Sequence, residues 1–227
     1  ESGYPRDRVT NLNNSIDNGA FQKDLSNVSE EALSRARETL GIPESAPVGI
    51  FCGSLYPEKR IDYLIGALDA IRKSAPDFHM IVVGTGPSAA EVEAAAQVRP
   101  WLHCVGVRRG VEKATFFKLA DLVLNPGLVG LHVLDAFCAG IPMITTMDAP
   151  HSPEIAYLQD DLNGLVCEGS MQEYAELVVD LISDPSRLNR LKHGAESSAG
   201  LYTLDNMVQN FVTGIEQCLS KPKKASR

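Results

Sequence analysis

The sequence predicts a doubly wound α/β fold. Short, almost continuously apolar strands alternate with helices from Val48 onward, and strands of that kind belong to a parallel sheet covered on both faces. Hydrophobic residues make up 44% and charged residues 22% of 227 positions, the balance of an ordinary globular protein with a real core. The strands read as "VGIFCG", "HMIVVG", "LHCVGV", "DLVLNP", "PMITT" and "NGLVCE". Between them lie "RIDYLIGALDAIRKSA", amphipathic through Ile61, Leu64, Ile65, Leu68 and Ile71, a helix beginning near Pro87, "EKATFFKLA" and a helix beginning near Gly130. A helix from Met171 to Ile182 follows the last strand. This alternation is of the Rossmann kind.

Outside the alternation, "SEEALSRARETLG" reads as a helix stopped at Gly41. Asp184 and Pro185 form an N-cap and first-turn pair. The segment "TLDNMVQNFVTGIEQCL" carries Leu204, Met207, Val208, Phe211, Val212, Ile215 and Leu219 on one stripe. The first 28 residues, rich in Asn and Ser, are expected to be less regular, and "SKPKKASR" reads as a frayed basic tail.

The charge balance, 21 basic against 29 acidic residues, supplies no broad basic face, which argues against a nucleic-acid or anionic-membrane binder. Five scattered cysteines without metal-ligand spacing read as small buried hydrophobes of a reducing compartment. There is no signal peptide and no apolar run that spans a bilayer, so the expected location is cytoplasmic.

In such sheets ligands sit beyond the carboxyl ends of the strands, which directs attention to four turns. In "CGSLYPEKR", Gly53 would let the backbone approach a ligand and Lys59, read as beginning the next helix, is a point charge suited to phosphate, although taken alone the stretch is better explained by a turn glycine and a solvated lysine. In "VVGTGPSA", Gly84, Gly86 and Ala89 match a dinucleotide fingerprint. The next strand ends with Arg108 and Arg109 rather than an acid, which leaves an NADP-dependent oxidoreductase as an alternative. In "NPGLVGLHVLDAFCAGIP", the amides of Val129, Gly130 and Leu131 would be free donors at a helix start. Asp135, alone among Val133, Leu134, Ala136 and Phe137, calls for a hydrogen-bond donor from protein or ligand. In "TTMDAPHSPEIAYL", His151 reads as a solvated loop histidine, and Glu154 as either a structural cap or a ligand contact.

Taken together and in this order, the turns resemble the C-terminal half of a family 4 glycosyltransferase of the two-Rossmann-domain (GT-B) fold, from about Gly3 to Leu219. "SGYPRDRVTNLNNSID" is similar to its inter-domain segment, and "CGSLYPEKRIDYLI" to its G-R-L…K-G-x-x-x-L-I segment. "IVVGTGP" resembles the G-x-G-P turn, "HCVGV" the F-x-G strand end, "LVGLHVLDAFCAGIPMITT" the G-F-G-x-x-x-x-E segment, and "NGLVCE" the N-G-x-L-V strand. The resemblance implies a retaining transferase acting on a UDP- or GDP-sugar, with no further cofactor and no metal, in cell-surface polysaccharide or glycolipid synthesis. It also implies an N-terminal acceptor-binding domain as partner, lying outside this chain and providing any peripheral contact with a membrane. This chain alone would then bind donor without turnover, with no catalytic residue assigned to it.

Carried over residue by residue, the resemblance assigns the donor phosphates to Gly53, Ser54, Lys59, Val129, Gly130 and Leu131, and the ribose to Asp135. It assigns the base to Gly84, Val105, Gly106 and Val107, and places Gly127, Leu128 and Glu154 near the sugar. Three positions depart from the pattern. Ser54 stands for an arginine, Asp135 for a glutamate longer by one C–C bond of about 1.5 Å, and Gly127 for the acid that touches the transferred sugar. Read as a residue that keeps the backbone path open, Gly127 is expected to accept glutamate with little effect on nucleotide binding. The implied organisation is residues 1–28 as inter-domain segment, 29–200 as nucleotide-sugar-binding domain, 201–219 as crossing helix and 220–227 as tail. A non-catalytic binding or interaction module on the same fold is the main alternative, motivated by Gly127 and Ser54.

Overall fold

The computed structural model describes residues 9–220; Gly3 to Arg8 of the family-like segment and residues 221–227 of the basic tail lie outside the described residues. Six strands, β1 (Val48–Cys52), β2 (His79–Val83), β3 (Leu102–Gly106), β4 (Leu122–Leu124), β5 (Met143–Thr146) and β6 (Gly164–Cys167), form one parallel sheet in the order β3-β2-β1-β4-β5-β6. The chain runs outward from β1 through β2 to β3, then returns to the other side of β1 with β4. That reversal creates a crevice at the carboxyl ends of β1 and β4, where α/β sheets bind ligands. The fold class expected from the alternation is the one observed.

Both faces are covered because the strands are apolar on both faces. On one face lie α3 (Ile61–Ser74), α4 (Ala89–Gln97) and α7 (Met171–Ser183). Helix α3 buries Ile61, Leu64, Ala67, Leu68 and Ile71, the spacing that puts one stripe on the sheet. The Tyr174 hydroxyl, fully buried in α7, donates to the Ile144 carbonyl at 3.0 Å, so this large ring enters the core without an orphan polar group. On the other face lie α5 (Gly110–Leu119), α6 (His132–Cys138) and α8 (Pro185–Ala199). Asp184 caps α8 by accepting from the Arg187 amide, as its position before Pro185 predicts.

One region of the backbone differs from the sequence reading. Residues expected to be irregular contain α1 (Asn18–Ser26), capped by Asp17, whose Phe21 and Leu25 are buried in the same core as α5 and α6. With only two strong apolar residues one turn apart, this helix is too short to announce itself by periodicity. The helix predicted before Gly41 is α2 (Glu30–Leu40), with Ser29 as N-cap and Gly41 left-handed at its end, but no residue of α2 is fully buried. The last helix, α9 (Leu204–Ser220), also has no buried residue. Its stripe of Leu204, Val208, Phe211, Val212, Ile215 and Leu219 is exposed. The cysteines are free thiols, but only Cys167 is buried, while Cys104 and Cys218 are exposed. Among the described residues no helix is long and apolar enough to cross a membrane.

Candidate functional site

A cavity of about 260 Å³ opens at the carboxyl ends of β1 and β2. Cys52, Gly53 and Ser54 continue β1 into it, and Val83, Gly84 and Thr85 continue β2. Val107 and Arg108 after β3, Lys113 of α5, and His132 and Asp135 of α6 complete the lining. The two glycine turns touch. The Gly53 amide donates to the Val83 carbonyl at 2.9 Å. A Cβ on Gly84, whose φ is +146°, would fall 1.9 Å from the Gly53 carbonyl oxygen. Gly84 is therefore a close-approach residue between two backbones. Gly86 packs in the same way on Leu55, so the glycines of the dinucleotide-like fingerprint serve turn packing.

The loop between β4 and α6, residues 125–131, is laced to its neighbours. The Leu128 amide donates to the Glu58 carbonyl at 2.8 Å, and Thr146 Oγ1 donates to the Pro126 carbonyl at 2.7 Å. Asn125, fully buried, donates through Nδ2 to the carbonyls of Gly127 and Leu128 at 3.3 and 3.1 Å. His151 Nδ1 accepts the Val129 amide at 3.1 Å while its Nε2–H donates to the Thr146 carbonyl at 2.6 Å. That ring is a bracket between β5 and the loop, where a solvated side chain was expected. The Val129 amide, expected to face phosphate, is thereby already bonded. The amides of Gly130 and Leu131 have no acceptor among the described residues.

Gly127 corrects a second expectation. It is buried against the 3-10 turn Pro57–Lys59, and a Cβ there would lie 2.3 Å from the Lys59 carbonyl carbon and 2.4 Å from the Glu58 oxygen. Backbone atoms cannot step aside as a flexible side chain can. The residue permits contact between two loops, and a glutamate does not fit.

Lys59 was expected to begin the helix after β1. It ends the 3-10 turn instead, and α3 starts at Ile61 after Arg60, which is left-handed at φ 55°. Lys59 is 7% exposed and donates to the Leu128 carbonyl. Burial pushes its ammonium down to about 8. Its Nζ also stands 3.5 Å from His132 Nδ1. An ammonium can only donate, so this contact assigns the imidazole proton to Nε2. Burial first, then the charges of Lys59 and Lys113, hold His132 well below the ordinary imidazole range, and the ring is neutral. Its Nε2 is buried without a partner among the described residues.

Asp135 is 8% exposed and has the donor that its apolar setting demanded: Lys113 Nζ lies 2.7 Å from Oδ1. Burial pulls the Asp135 carboxyl above the ordinary carboxylate range, and the Lys113 charge and hydrogen bond pull it partly back. The Lys113 ammonium rests over the Phe21 ring, 4.5 Å from its centroid. Nearby, burial pushes the Cys52 thiol up to about 12, so it stays protonated at neutral pH.

Of the residues predicted for this site, Gly53, Ser54, Gly84, Val107 and Asp135 share the cavity. Lys59, Gly127, Leu128 and Val129 form the packed support beneath the α6 entry. Val105 faces a separate cleft of about 390 Å³ between α2 and α5, and Gly106 a hollow behind the β2 turn. Glu154 is 8% exposed and accepts from Asn14 Nδ2 at 3.1 Å, away from the cavity lining. Lys113 and His132 were missed. The lone acid at 135 was a signal for a cation, but nothing in the sequence says that α5 supplies it.

The family described as "Glycosyl transferases group 1" matches residues 46–184. Alpha-monoglucosyldiacylglycerol synthase of Acholeplasma laidlawii is 24% identical over 205 residues, covering 88% of this chain and 50% of that protein. The crystal structure of Anabaena Alr3699/HepE in complex with UDP-glucose superposes with a TM-score of 0.70 at 20% identity, covering 92% of this chain and 56% of that one. The C-terminal domain of the group 1 glycosyl transferase LpcC from Francisella tularensis gives 0.63 at 22% identity, over 84% of this chain and 100% of that domain. These superpositions show the Rossmann-like architecture found in GT-B domains. The chain spans about half the length of the curated relatives it matches.

Proposed function

The chain belongs to the group 1 glycosyl transferases, and from that premise we propose that it is the donor-binding half of a retaining glycosyltransferase acting on a UDP- or GDP-sugar. The observation that carries this reading is the cavity over the carboxyl ends of β1 and β2, where Gly53 and Ser54 of one turn, Gly84 of a second, Val107 after β3 and Asp135 of α6 converge. Its shape follows from topology, and its chemistry suits a nucleotide: a carboxylate for ribose hydroxyls, bare glycine backbone, and free amides near by. A diphosphate leaving with the electron pair of the glycosidic bond gains negative charge, and the unpaired Gly130 and Leu131 amides with the Lys59 charge behind them oppose that charge. Helix α6 has seven residues, so the free amides matter here more than a long helix dipole.

In this reading residues 29–200 form the nucleotide-sugar domain, and α9 crosses to an acceptor-binding half that precedes residues 1–28 in the whole protein. The exposed apolar stripe of α9 supports that arrangement. The Acholeplasma relative, by its name, makes a glycolipid, which supports glycolipid or cell-surface polysaccharide synthesis as the setting. Calorimetric titration with UDP, GDP and their sugar esters tests the reading. Binding is expected for at least one, and Asp135→Ala should weaken it about tenfold or more, the effect of a lost charge-assisted hydrogen-bond pair. Absence of binding at millimolar ligand, or an Asp135→Ala variant that binds like the parent, would overturn it.

A second reading, a nucleotide-sugar-binding module without catalysis, is favoured by one observation. The backbone contact at Gly127 excludes any side chain at the position of the sugar-contacting acid. Sugar transfer by the full-length protein would eliminate it.

A further inference from the structure

We infer that Lys113 and Asp135 together form a two-armed clamp for a vicinal diol, with Lys113 as a binding residue in its own right. The inference rests on the reading of the cavity as a nucleotide seat, and it names which atoms grip the ribose. The pair is incomplete as a structural salt bridge. Lys113 Nζ has three protons and one hydrogen-bond acceptor, Asp135 Oδ1 at 2.7 Å. On another side it meets the face of Phe21, which holds the ammonium in place without accepting a full hydrogen bond. Asp135 Oδ2 has no protein donor among the described residues, yet it is not among the sealed, unpartnered polar atoms. Both side chains line the cavity. Asp135 is sufficiently enclosed that a salt bridge built only for stability would be poor design, because removing two charges from water offsets most of their attraction.

What remains open is one anionic acceptor beside one cationic donor, a few ångströms apart. Two adjacent hydroxyls match that pattern: one donates its proton to Oδ2, and the neighbouring oxygen accepts from Nζ. A phosphate would be repelled by the carboxylate, and a lone hydroxyl would use only half of the site. Lys113 is the only ion-pair partner of that carboxylate among the described residues, and its charge opposes the effect of burial on it.

The test compares affinities of UDP and GDP with those of their 2′-deoxy and 3′-deoxy forms on the 227-residue chain, before and after Lys113→Met. The wild-type chain should prefer the ribonucleotide over at least one deoxy form by about tenfold, as expected for one hydrogen bond to a charged group. Lys113→Met should weaken the ribonucleotide about tenfold and the deoxy form little, bringing the preference to within about threefold. Lys113→Arg should restore most of it. If Lys113→Met is unstable, Asp135→Asn is compared with the double variant Lys113→Met/Asp135→Asn, which leaves no buried charge, and the double variant should bind the ribonucleotide more weakly than Asp135→Asn alone. A Lys113→Met chain with the wild-type ratio would overturn the clamp while leaving the nucleotide seat intact. A wild-type chain that binds none of these nucleotides would remove the seat and the clamp together.

Discussion

Lys59 and Lys113 both stand close to His132, yet they occupy two different kinds of ground. Lys59 lies under the loop before α6, 7% exposed, with its ammonium on the Leu128 carbonyl and its pKa pushed down to about 8 by burial. Lys113 lies at the cavity wall, paired with Asp135 and flanked by an aromatic face. The first region is closed as far as Val129: residues 125–129 and turn 57–59 are joined by hydrogen bonds, with no space at Gly127. Asn125 Oδ1 is buried without a partner among the described residues, and the free amides of Gly130 and Leu131 lie at the edge of this region. The second keeps spare hydrogen-bonding capacity. A cation is therefore not a ligand contact merely because it follows a strand end; the contacts that already occupy it decide. The closed region fixes the α6 entry, and the open one meets the ligand.

If the loop region is closed, filling Gly127 is the most damaging single change available there. Gly127→Glu should destabilise the chain by about 3 kcal/mol or more, because its first added atom already overlaps the backbone of Lys59. Urea denaturation measures this, and a variant as stable as the parent would show that the loop and turn can separate. Lys59→Met comes next, with an expected loss of about 1–3 kcal/mol from the hydrogen bond removed beneath the loop. Its pH signature is specific. The folded pKa of about 8 lies below the ordinary 10.5, so between these values the unfolded chain binds more protons. This group therefore adds to stability as pH rises through that window, and Lys59→Met should abolish that rise. Denaturation midpoints on either side of the window decide, and an unchanged slope would place Lys59 in water.

The sheet was legible because strands buried on both faces cannot hide their apolar runs, and because Gly41 and the Asp184–Pro185 pair mark helix ends by local chemistry. Helix α1 escaped because Asn, Asp and Ser dominate its surroundings and its contacts, Phe21 to Phe117 among them, are distant in sequence. Asp135 stood out for the opposite reason, since an acid in an apolar helix needs an explanation wherever it lies. Its partner could not be read, because Lys113 sits on another helix and looks like any solvated lysine. Gly127 shows the limit most clearly. A loop glycine means either freedom for a ligand or room for another backbone, and only the placement of Glu58 and Lys59 distinguishes the two.

His151 offers the finest test of the contrast between closed and open ground, because it joins the closed region to β5 and is not itself part of the cavity lining. Its two ring nitrogens are both engaged, one as acceptor from Val129 and one as donor to Thr146. His151→Ala should cost about 1–2 kcal/mol and leave the Val129 amide and the Thr146 carbonyl to water or to no partner. If the bracket positions the free Gly130 and Leu131 amides, nucleotide affinity should also fall, by about threefold, through a less ordered α6 entry. Amide hydrogen exchange separates this from a general loss of stability. Val129 should lose protection in the variant while Ile50 and Ile81, paired in the middle of the sheet, keep theirs. Protection lost equally at all three sites would make His151 an ordinary contributor to the core, and an unchanged Val129 would show that the loop holds its shape without the bracket.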